Sequence, residues 1–313
     1  MTRLLDLARR GVAVAQTTAA RIAFAAVAVA LAFWAVASRW DEVVDALGRI
    51  QGRWLLAAAA ATVANLLLTG MAWRAILADL GSRLPLPVAA RIFFVGQIGK
   101  YVPGSLWPVV VQAELGRDHG IARRRSAAAT LVLILLSAFS ALVMVLGSLP
   151  FVPAVAHTGL GWTLLLVVPL LVTLHPAVLG RLLDRVLALV GRPPLGEWTS
   201  LRGTAVALAW ALASWIGAGT QVWCLTVALG APRTWHTAAI ATGGYALAWV
   251  AGLVVVVAPA GAGARELALA TLLSSVLDTG AVVVVVLLSR LLFTAADLTL
   301  AGIGLGVGRP VRR

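Results

Sequence analysis

Residues 96–116 read GQIGKYVPGSLWPVVVQAELG, an apolar stretch that is built wrongly for a continuous membrane span. Pro103 and Pro108 each remove a backbone donor and disfavour helix in the residue before them. Gly99 and Gly104 add backbone freedom in the same turns. Broken backbone is tolerated at membrane depth only where protein or a water-filled cavity surrounds it. We therefore predict a discontinuous or re-entrant helix pair that builds the functional site.

The composition around this stretch is that of a membrane protein. Of the 313 residues, 61% are hydrophobic and 12% are charged, whereas about a quarter of the residues in soluble domains are charged. The net charge of +13 comes from 24 arginines and one lysine against 12 acids. In a membrane protein such an excess normally marks cytoplasmic loops and contacts with anionic headgroups. No nucleic-acid partner is predicted, because no nucleic-acid-binding motif accompanies the charge.

The apolar runs predict an all-α polytopic membrane protein, a single domain over residues 1–313 with about seven or eight membrane segments. Two of these segments are the broken or re-entrant elements. The other predicted spans are Ile22–Ser38, Trp54–Ile76, Ala127–Leu149, Gly203–Leu229, His236–Val257 and Ala281–Val307, and a further apolar run, Trp162–Leu174, is short for a span.

The distribution of arginine predicts the orientation of the chain. The arginine-free loop at 150–161 is assigned to the outside, and the basic clusters at 117–125, 181–202 and 309–313 to the inside. Both termini are then cytoplasmic, provided that Glu266–Asp278 completes a crossing.

A second interrupted segment, APAGAGAREL, lies at residues 258–267. Like the first, it follows a long apolar run, breaks it with proline and glycine, and restarts beside ionisable groups. Two interrupted segments in corresponding positions are typical of transporters with repeated halves and a midplane site. Two repeated halves, at about 20–150 and 160–308, are one interpretation, and simple kinks or interhelical loops are the other.

Several groups in the two segments are suited to hold a phosphate. Lys100 is a flexible point-charge donor, although a lysine that snorkels to the interface is the alternative. Arg265 can hold a phosphate, whereas a structural ion pair that locks two helices together is the alternative. Helix starts after the glycines would offer backbone N–H groups to an anion. The predicted phosphate-binding residues are Lys100, Gly104, Ser105, Gly261, Gly263 and Arg265.

A further set is predicted to line the cleft or couple transport: Gln97, Tyr101, Trp107, Gln112, Glu114 and Glu266, with Pro103, Pro108 and Pro259 as helix-breaking residues. Glu114 is interpreted as a receptor for a cationic group or proton, or as a loop-edge carboxylate near Arg117. Glu266 would orient Arg265 or pair with Lys100. Asp297 is a candidate partner of Arg290 or a proton site. Asn65, Gln221 and Tyr245 are interpreted as interhelical hydrogen-bonding residues.

The two interrupted segments resemble motifs of one family. Residues 99–108, GKYVPGSLWP, followed by Gln112 and Glu114, look like a hallmark of the lysylphosphatidylglycerol synthase transmembrane domain, or flippase-like domain. Residues 259–266, PAGAGARE, are similar to its Pro-Gly-Gly-x-Gly-x-Arg-Glu element, with Ala260 where a second glycine is common. His175-Pro176 is a weaker match between them. The resemblance covers nearly the whole chain.

The resemblance implies lipid translocation. In bifunctional members, such a domain flips aminoacylated phosphatidylglycerol made by a cytosolic aminoacyltransferase domain. We expect that domain to be absent here, because the chain ends soon after its last predicted span. The expected function is a flippase or transporter for an anionic phospholipid or polyprenyl-phosphate-linked lipid in a bacterial inner membrane.

No catalytic residue, metal or cofactor is predicted, because the sequence shows no paired carboxylates, metal-ligand cluster or nucleophile with a base. An integral membrane transferase acting on a lipid-linked phosphate and a non-catalytic scaffold of an envelope-assembly complex are the alternatives. The expected partner is a membrane lipid, and a separate lipid-modifying enzyme and a homo-oligomer are left open.

Overall fold

The computed structural model describes residues 37–38, 40–101, 107–151, 172, 175–189, 199–254 and 263–307. Within these ranges the chain forms α-helices and no strand. The helices are α1 (Trp40–Gly48), α2 (Gly52–Asp79), α3 (Leu86–Gln97), α4 (Trp107–Arg117), α5 (Arg123–Ser148), α6 (Pro176–Leu189), α7 (Leu201–Ala228), α8 (Trp235–Val254), α9 (Ala264–Leu273) and α10 (Thr279–Gly306). Two 3-10 turns, Ile98–Tyr101 and Leu149–Phe151, follow α3 and α5.

Four of the described helices, α2, α5, α7 and α10, are long and apolar enough to cross a membrane. A helix of 28 residues extends about 42 Å at a rise of 1.5 Å per residue, more than the hydrocarbon thickness of about 30 Å. The all-α polytopic architecture is thus confirmed. Ile22–Ser38 and Trp162–Leu174 lie almost entirely outside the described residues, so the number of membrane segments stays a prediction.

Polar contacts identify one end of the helix bundle. Arg49, between α1 and α2, lies 3.3 Å from the carboxylate of Asp278, between α9 and α10. The guanidinium of Arg233, between α7 and α8, lies 4.9 Å from the ring centre of Trp54 at the start of α2. These three loops therefore share one end of the bundle, which we call the Asp278 end.

A second group of contacts identifies the opposite end. Asp79 at the end of α2 accepts hydrogen bonds from the backbone N–H (2.6 Å) and hydroxyl (2.8 Å) of Ser200, just before α7. Arg125 at the start of α5 donates to Ser82 Oγ at 3.1 Å. Arg91 in α3 donates to the carbonyl of Leu305, near the end of α10, at 2.8 Å. We call this the Asp79 end.

The helices that flank the two interrupted segments connect to the rest of the chain at opposite ends of the bundle. Helices α3 and α4 pack against each other, and both connect to the rest of the chain at the Asp79 end. Helices α8 and α9 also pack against each other, and both connect at the Asp278 end. Opposed pairs of broken helices are characteristic of transporters with inverted repeats, although the division into two halves stays a prediction.

Two apolar clusters form the core. One joins α7, α8, α9 and α10 around residues such as Leu225, Ile240 and Leu273. The other joins α2, α3 and α5 around Trp73 and Leu136. Phe293 in α10 packs against both clusters. Burial of these apolar side chains stabilises the bundle. Polar side chains lie in the space between the two clusters.

Candidate functional site

A cavity of about 210 Å³ lies between the two apolar clusters. Asn65 of α2, Ser137 of α5, Ser214 of α7 and Thr294 of α10 line it, and each lies near the middle of a helix long enough to span a bilayer. The cavity is therefore at mid-depth of the bundle, where polar groups are costly and usually functional.

The 3-10 turn after α3 supplies the cation of an ion pair to this cavity. Lys100 Nζ lies 2.6 Å from Asp297 Oδ2 of α10, and the Tyr101 hydroxyl donates to the same oxygen at 2.7 Å. The Asp297 side chain is 1% exposed and that of Lys100 is 30% exposed. Asp297 Oδ1 finds no hydrogen-bond partner among the described residues. Lys100 therefore faces the cavity, with Asp297 buried behind it.

Gly99 allows this turn to approach α4 closely. A Cβ at Gly99 would lie 2.8 Å from the backbone nitrogen of Pro108 and from the carbonyl carbon of Trp107. No side chain fits at that distance, so glycine is required. Pro108 is the second residue of α4, where proline is tolerated because the first-turn N–H groups have no intrahelical acceptor.

The tip of the second interrupted segment supplies an arginine whose positive charge is not neutralised. Arg265 Nη2 donates to the hydroxyl of Tyr245 at 3.1 Å, and its guanidinium lies 5.6 Å from the centre of the Tyr245 ring. Tyr245 stacks on Phe293 with ring centres 5.2 Å apart. Across the part of the chain that the structure describes, no carboxylate lies within 4.0 Å of Arg265. An aromatic platform thus positions the guanidinium and leaves its charge for an anion.

Glu266 occupies the beginning of α9. Its Oε2 accepts from the N–H of Gly263 at 2.6 Å, and its Oε1 lies 3.6 Å from Arg290 Nη1. Gly263 has φ +86°, a left-handed conformation that favours glycine. Glu266 is therefore paired with Arg290, and neither Arg265 nor Lys100 is its ion-pair partner.

The charges in the cavity leave it net positive. Among the described residues that line it, the cations Lys100, Arg265 and Arg290 face the carboxylates of Asp297 and Glu266, and each carboxylate is paired with a cation. The indole N–H of the 5% exposed Trp215, another lining residue, has no acceptor within the described ranges. Free positive charge and an unused donor at low dielectric favour a bound anion.

Five of the predicted site residues come together at this cavity: Gln97, Lys100, Tyr101, Arg265 and Glu266. The nearby Gly263 is the N-cap of α9, and its N–H is already bonded to Glu266. Pro103, Gly104, Ser105, Pro259 and Gly261 lie outside the described residues.

Three predicted cleft residues lie elsewhere. Glu114 points to the basic loop after α4, where its carboxylate is 2.8 Å from Arg123 Nε and 4.0 Å from Arg117 Nε. Gln112 is fully buried between α3 and α5, where its side-chain oxygen accepts from the hydroxyl of Thr130. Trp107 is 45% exposed and does not line the cavity. The prediction that these residues share the cavity of Lys100 is corrected, because the faces of α4 that carry them turn away from it.

Other cavity residues match their predicted roles only in part. Asp297 was a candidate partner of Arg290, but it pairs with Lys100. Tyr245 was predicted to form an interhelical hydrogen bond, and it accepts one from Arg265 of α9. Trp215 received no role, since its position among 12 tryptophans carries no distinguishing signal. An acidic residue inside a predicted span was the signal that identified Asp297.

Comparison with known proteins identifies the family of this chain. Residues 18–301 match the family model described as the lysylphosphatidylglycerol synthase TM region. No curated protein matches the chain. The matched residues include both interrupted segments and every described residue of the cavity. This chain belongs to the lysylphosphatidylglycerol synthase transmembrane-region family.

Proposed function

We propose that this protein translocates an anionic lipid, a phospholipid or a polyprenyl-phosphate-linked lipid, across the membrane. One observation carries the proposal: interrupted helices from opposite ends of the bundle bring Lys100 and Arg265 to one cavity at mid-depth. A lipid headgroup that crosses a bilayer loses its hydration, and fixed donors must replace it. Lys100, Arg265 and the Trp215 N–H are donors of that kind.

The arrangement of the helices also supports two re-entrant elements that could open the cavity to either side of the membrane. The α3–α4 pair connects at the Asp79 end and the α8–α9 pair at the Asp278 end, so movement of one pair would open the cavity to one side only. Alternating exposure of a fixed midplane site is how transporters with broken helices operate. The α3–α4 and α8–α9 pairs would then be the parts that move.

The distribution of arginine supports an orientation. Arg117, Arg123, Arg124 and Arg125 lie between α4 and the start of α5, at the Asp79 end, where α10 also ends. We place this end in the cytoplasm of a bacterial cell, because cytoplasmic loops carry the excess of Arg and Lys. The carboxyl terminus would then be cytoplasmic. Cysteines introduced at Arg124 and Arg233 of a Cys224→Ser protein, labelled in intact cells with a thiol reagent that does not cross the membrane, test this orientation. Reaction at Arg233 alone is expected, and reaction at Arg124 alone would refute the orientation.

The test of transport is reconstitution into liposomes that contain phosphatidylglycerol or a polyprenyl phosphate with a fluorescent acyl or prenyl chain. Chemical quenching of the outer leaflet measures how much probe crosses. We expect transport by the wild type and at least a tenfold loss in Arg265→Gln, because an ionic contact to a phosphate contributes about 1.5–3 kcal/mol. Arg123→Gln is the matched control, since this arginine pairs with Glu114 on the surface.

The alternatives give different results in the same preparation. A transferase would convert the lipid-linked phosphate to a new product without moving the probe. A scaffold would do neither. Wild-type protein that leaves the distribution of every anionic probe unchanged would refute the proposal, as would Arg265→Gln protein of normal fold that transports at the wild-type rate.

A further inference from the structure

The contact between Lys100 and Asp297 joins an accessible charge to an inaccessible one. The ammonium group lies on a flexible stem and reaches the cavity, whereas the carboxylate is 1% exposed. Besides Lys100, the contact that Asp297 makes is the neutral hydroxyl of Tyr101, and its second oxygen is unpartnered within the described part of the chain. Lys100 is therefore the cation that balances Asp297.

A phosphate in this cavity would compete with Asp297 for Lys100. Arg265 and Lys100 line the same space, so an anion held by Arg265 would also attract the ammonium group of Lys100. A carboxylate that loses its cation in a buried site costs several kcal/mol unless it becomes neutral. A proton is the simplest species that can neutralise it.

The other groups around Asp297 do not replace Lys100. Arg290 pairs with Glu266, and Arg265 is positioned on Tyr245. Arg91 of α3 donates to the end of α10, and Glu42 of α1 lies against Gly280 at its start. The parts of α2, α5 and α7 that line the cavity contribute only uncharged side chains.

We propose that binding of a lipid phosphate exchanges the partner of Lys100, so that Asp297 takes up one proton from solution for each lipid bound. Lys100 keeps its own proton throughout. The phosphate brings one negative charge and the proton brings one positive charge, so the net charge of the cavity is unchanged. Release of the lipid returns Lys100 to Asp297 and frees the proton. This inference rests on the proposed function and identifies the proton as its coupling ion.

Linkage makes the exchange measurable. If one proton binds with each lipid, lipid affinity rises as the pH falls, by up to about tenfold per pH unit. The effect is reciprocal, because a bound lipid raises the proton affinity of the site by the same factor. Phosphatidylglycerol suits the measurement, since its phosphodiester keeps one negative charge at neutral and mildly acidic pH.

The experiment is calorimetric titration of the detergent-solubilised full chain with short-chain phosphatidylglycerol, near neutral pH, in two buffers of different ionisation enthalpy. The difference in heat gives the protons taken up per lipid bound. We expect about one for the wild type and none for Asp297→Asn, which is already neutral. Lys100→Gln should bind more weakly and also take up none, because its Asp297 is protonated beforehand. Glu114→Gln is the control and should match the wild type.

Each other result overturns the inference. Lipid binding without proton uptake in the wild type, or uptake that persists in Asp297→Asn, would show that Asp297 is not the coupling group while leaving lipid transport intact. If Asp297→Asn fails to fold, Lys100→Gln decides, and full proton uptake in that variant refutes the exchange. Inorganic phosphate is titrated in parallel, and binding of that ion alone would assign a soluble anion to the cavity. No binding of either probe would overturn the proposed function and the exchange together.

Discussion

Substitution of Lys100 by methionine should destabilise the protein strongly, and a second substitution should restore most of the loss. The attraction between unit charges 2.6 Å apart is about 6 kcal/mol at an effective dielectric constant of about 20. Desolvation of Asp297 offsets much of this attraction. The intact pair therefore contributes little net stability. Removal of Lys100 alone forces Asp297 either to stay charged without a cation or to be protonated at neutral pH, at a cost of about 3–5 kcal/mol.

Asp297→Asn should cost less, because Lys100 is 30% exposed and can be hydrated in the cavity. We expect about 1–2 kcal/mol, the cost of losing the Tyr101 and Lys100 hydrogen bonds. The double variant Lys100→Met/Asp297→Asn carries no unpaired charge. It should be more stable than Lys100→Met alone by about 2–3 kcal/mol, because the second substitution removes the unpaired carboxylate.

The single cysteine of the chain provides the assay. Cys224 is 3% exposed in the native protein, so a thiol-reactive dye reports unfolding during a thermal scan in detergent. Lys100→Met should unfold on the order of 10 °C below the wild type, and less far below it at lower pH, where a proton replaces the lost cation. An unfolding temperature within about 2 °C of the wild type, or a double variant no more stable than Lys100→Met, would refute the buried-pair reasoning.

Three further changes test other parts of the structure. Tyr245→Phe keeps the aromatic platform but removes one hydrogen bond to the cavity guanidinium, so transport should fall several-fold with a stability loss of about 0.5–1.5 kcal/mol, measured by liposome flux and thermal scan. Gly99→Ala should destabilise the protein by about 1–3 kcal/mol, because the added Cβ would lie 2.8 Å from the backbone at the start of α4. Gly302 has open space around it, so Gly302→Ala, the control, should leave the unfolding temperature unchanged or raise it. The pKa of Asp278 is lowered by a first-turn backbone N–H of α10 and by Arg49. The resulting stabilisation is present above the pKa of the unfolded state and disappears as the pH falls through the pKa of the folded state. In a thermal scan, Asp278→Ala should therefore unfold at a lower temperature than the wild type at neutral pH, and at nearly the same temperature in acid.

Much of the architecture follows from local chemistry. Apolar runs of about 20 residues need a hydrocarbon environment, and α2, α5, α7 and α10 form where those runs predict helices. Pro103 and Pro108 predict a break in one place, and the structure ends α3 at Gln97 and begins α4 at Trp107. These features depend on residues that are neighbours in sequence, so the sequence is sufficient to predict them.

The pairing of charges depended on distant residues. Lys100 and Arg265 were identified as site residues because they are cations in apolar segments. Their partners, Asp297 and Tyr245, could not be derived, since the pairing of Lys100 with Asp297 depends on how α3 and α10 pack. Glu114 lies close to the first motif in sequence and was therefore predicted to belong to the site. Its face of α4, however, turns toward Arg123 and away from the cavity.

The amino-acid sequence alone determined that this is a helical membrane protein with two interrupted apolar segments that carry charged residues, because hydropathy, proline and glycine act over a few residues. Only the tertiary structure decided that Lys100 and Arg265 line one cavity, that Asp297 balances Lys100, and that Arg265 has an aromatic platform in place of a carboxylate. These contacts depend on how helices far apart in the chain pack together, and the local pattern of residues does not predict which side chains meet across such an interface.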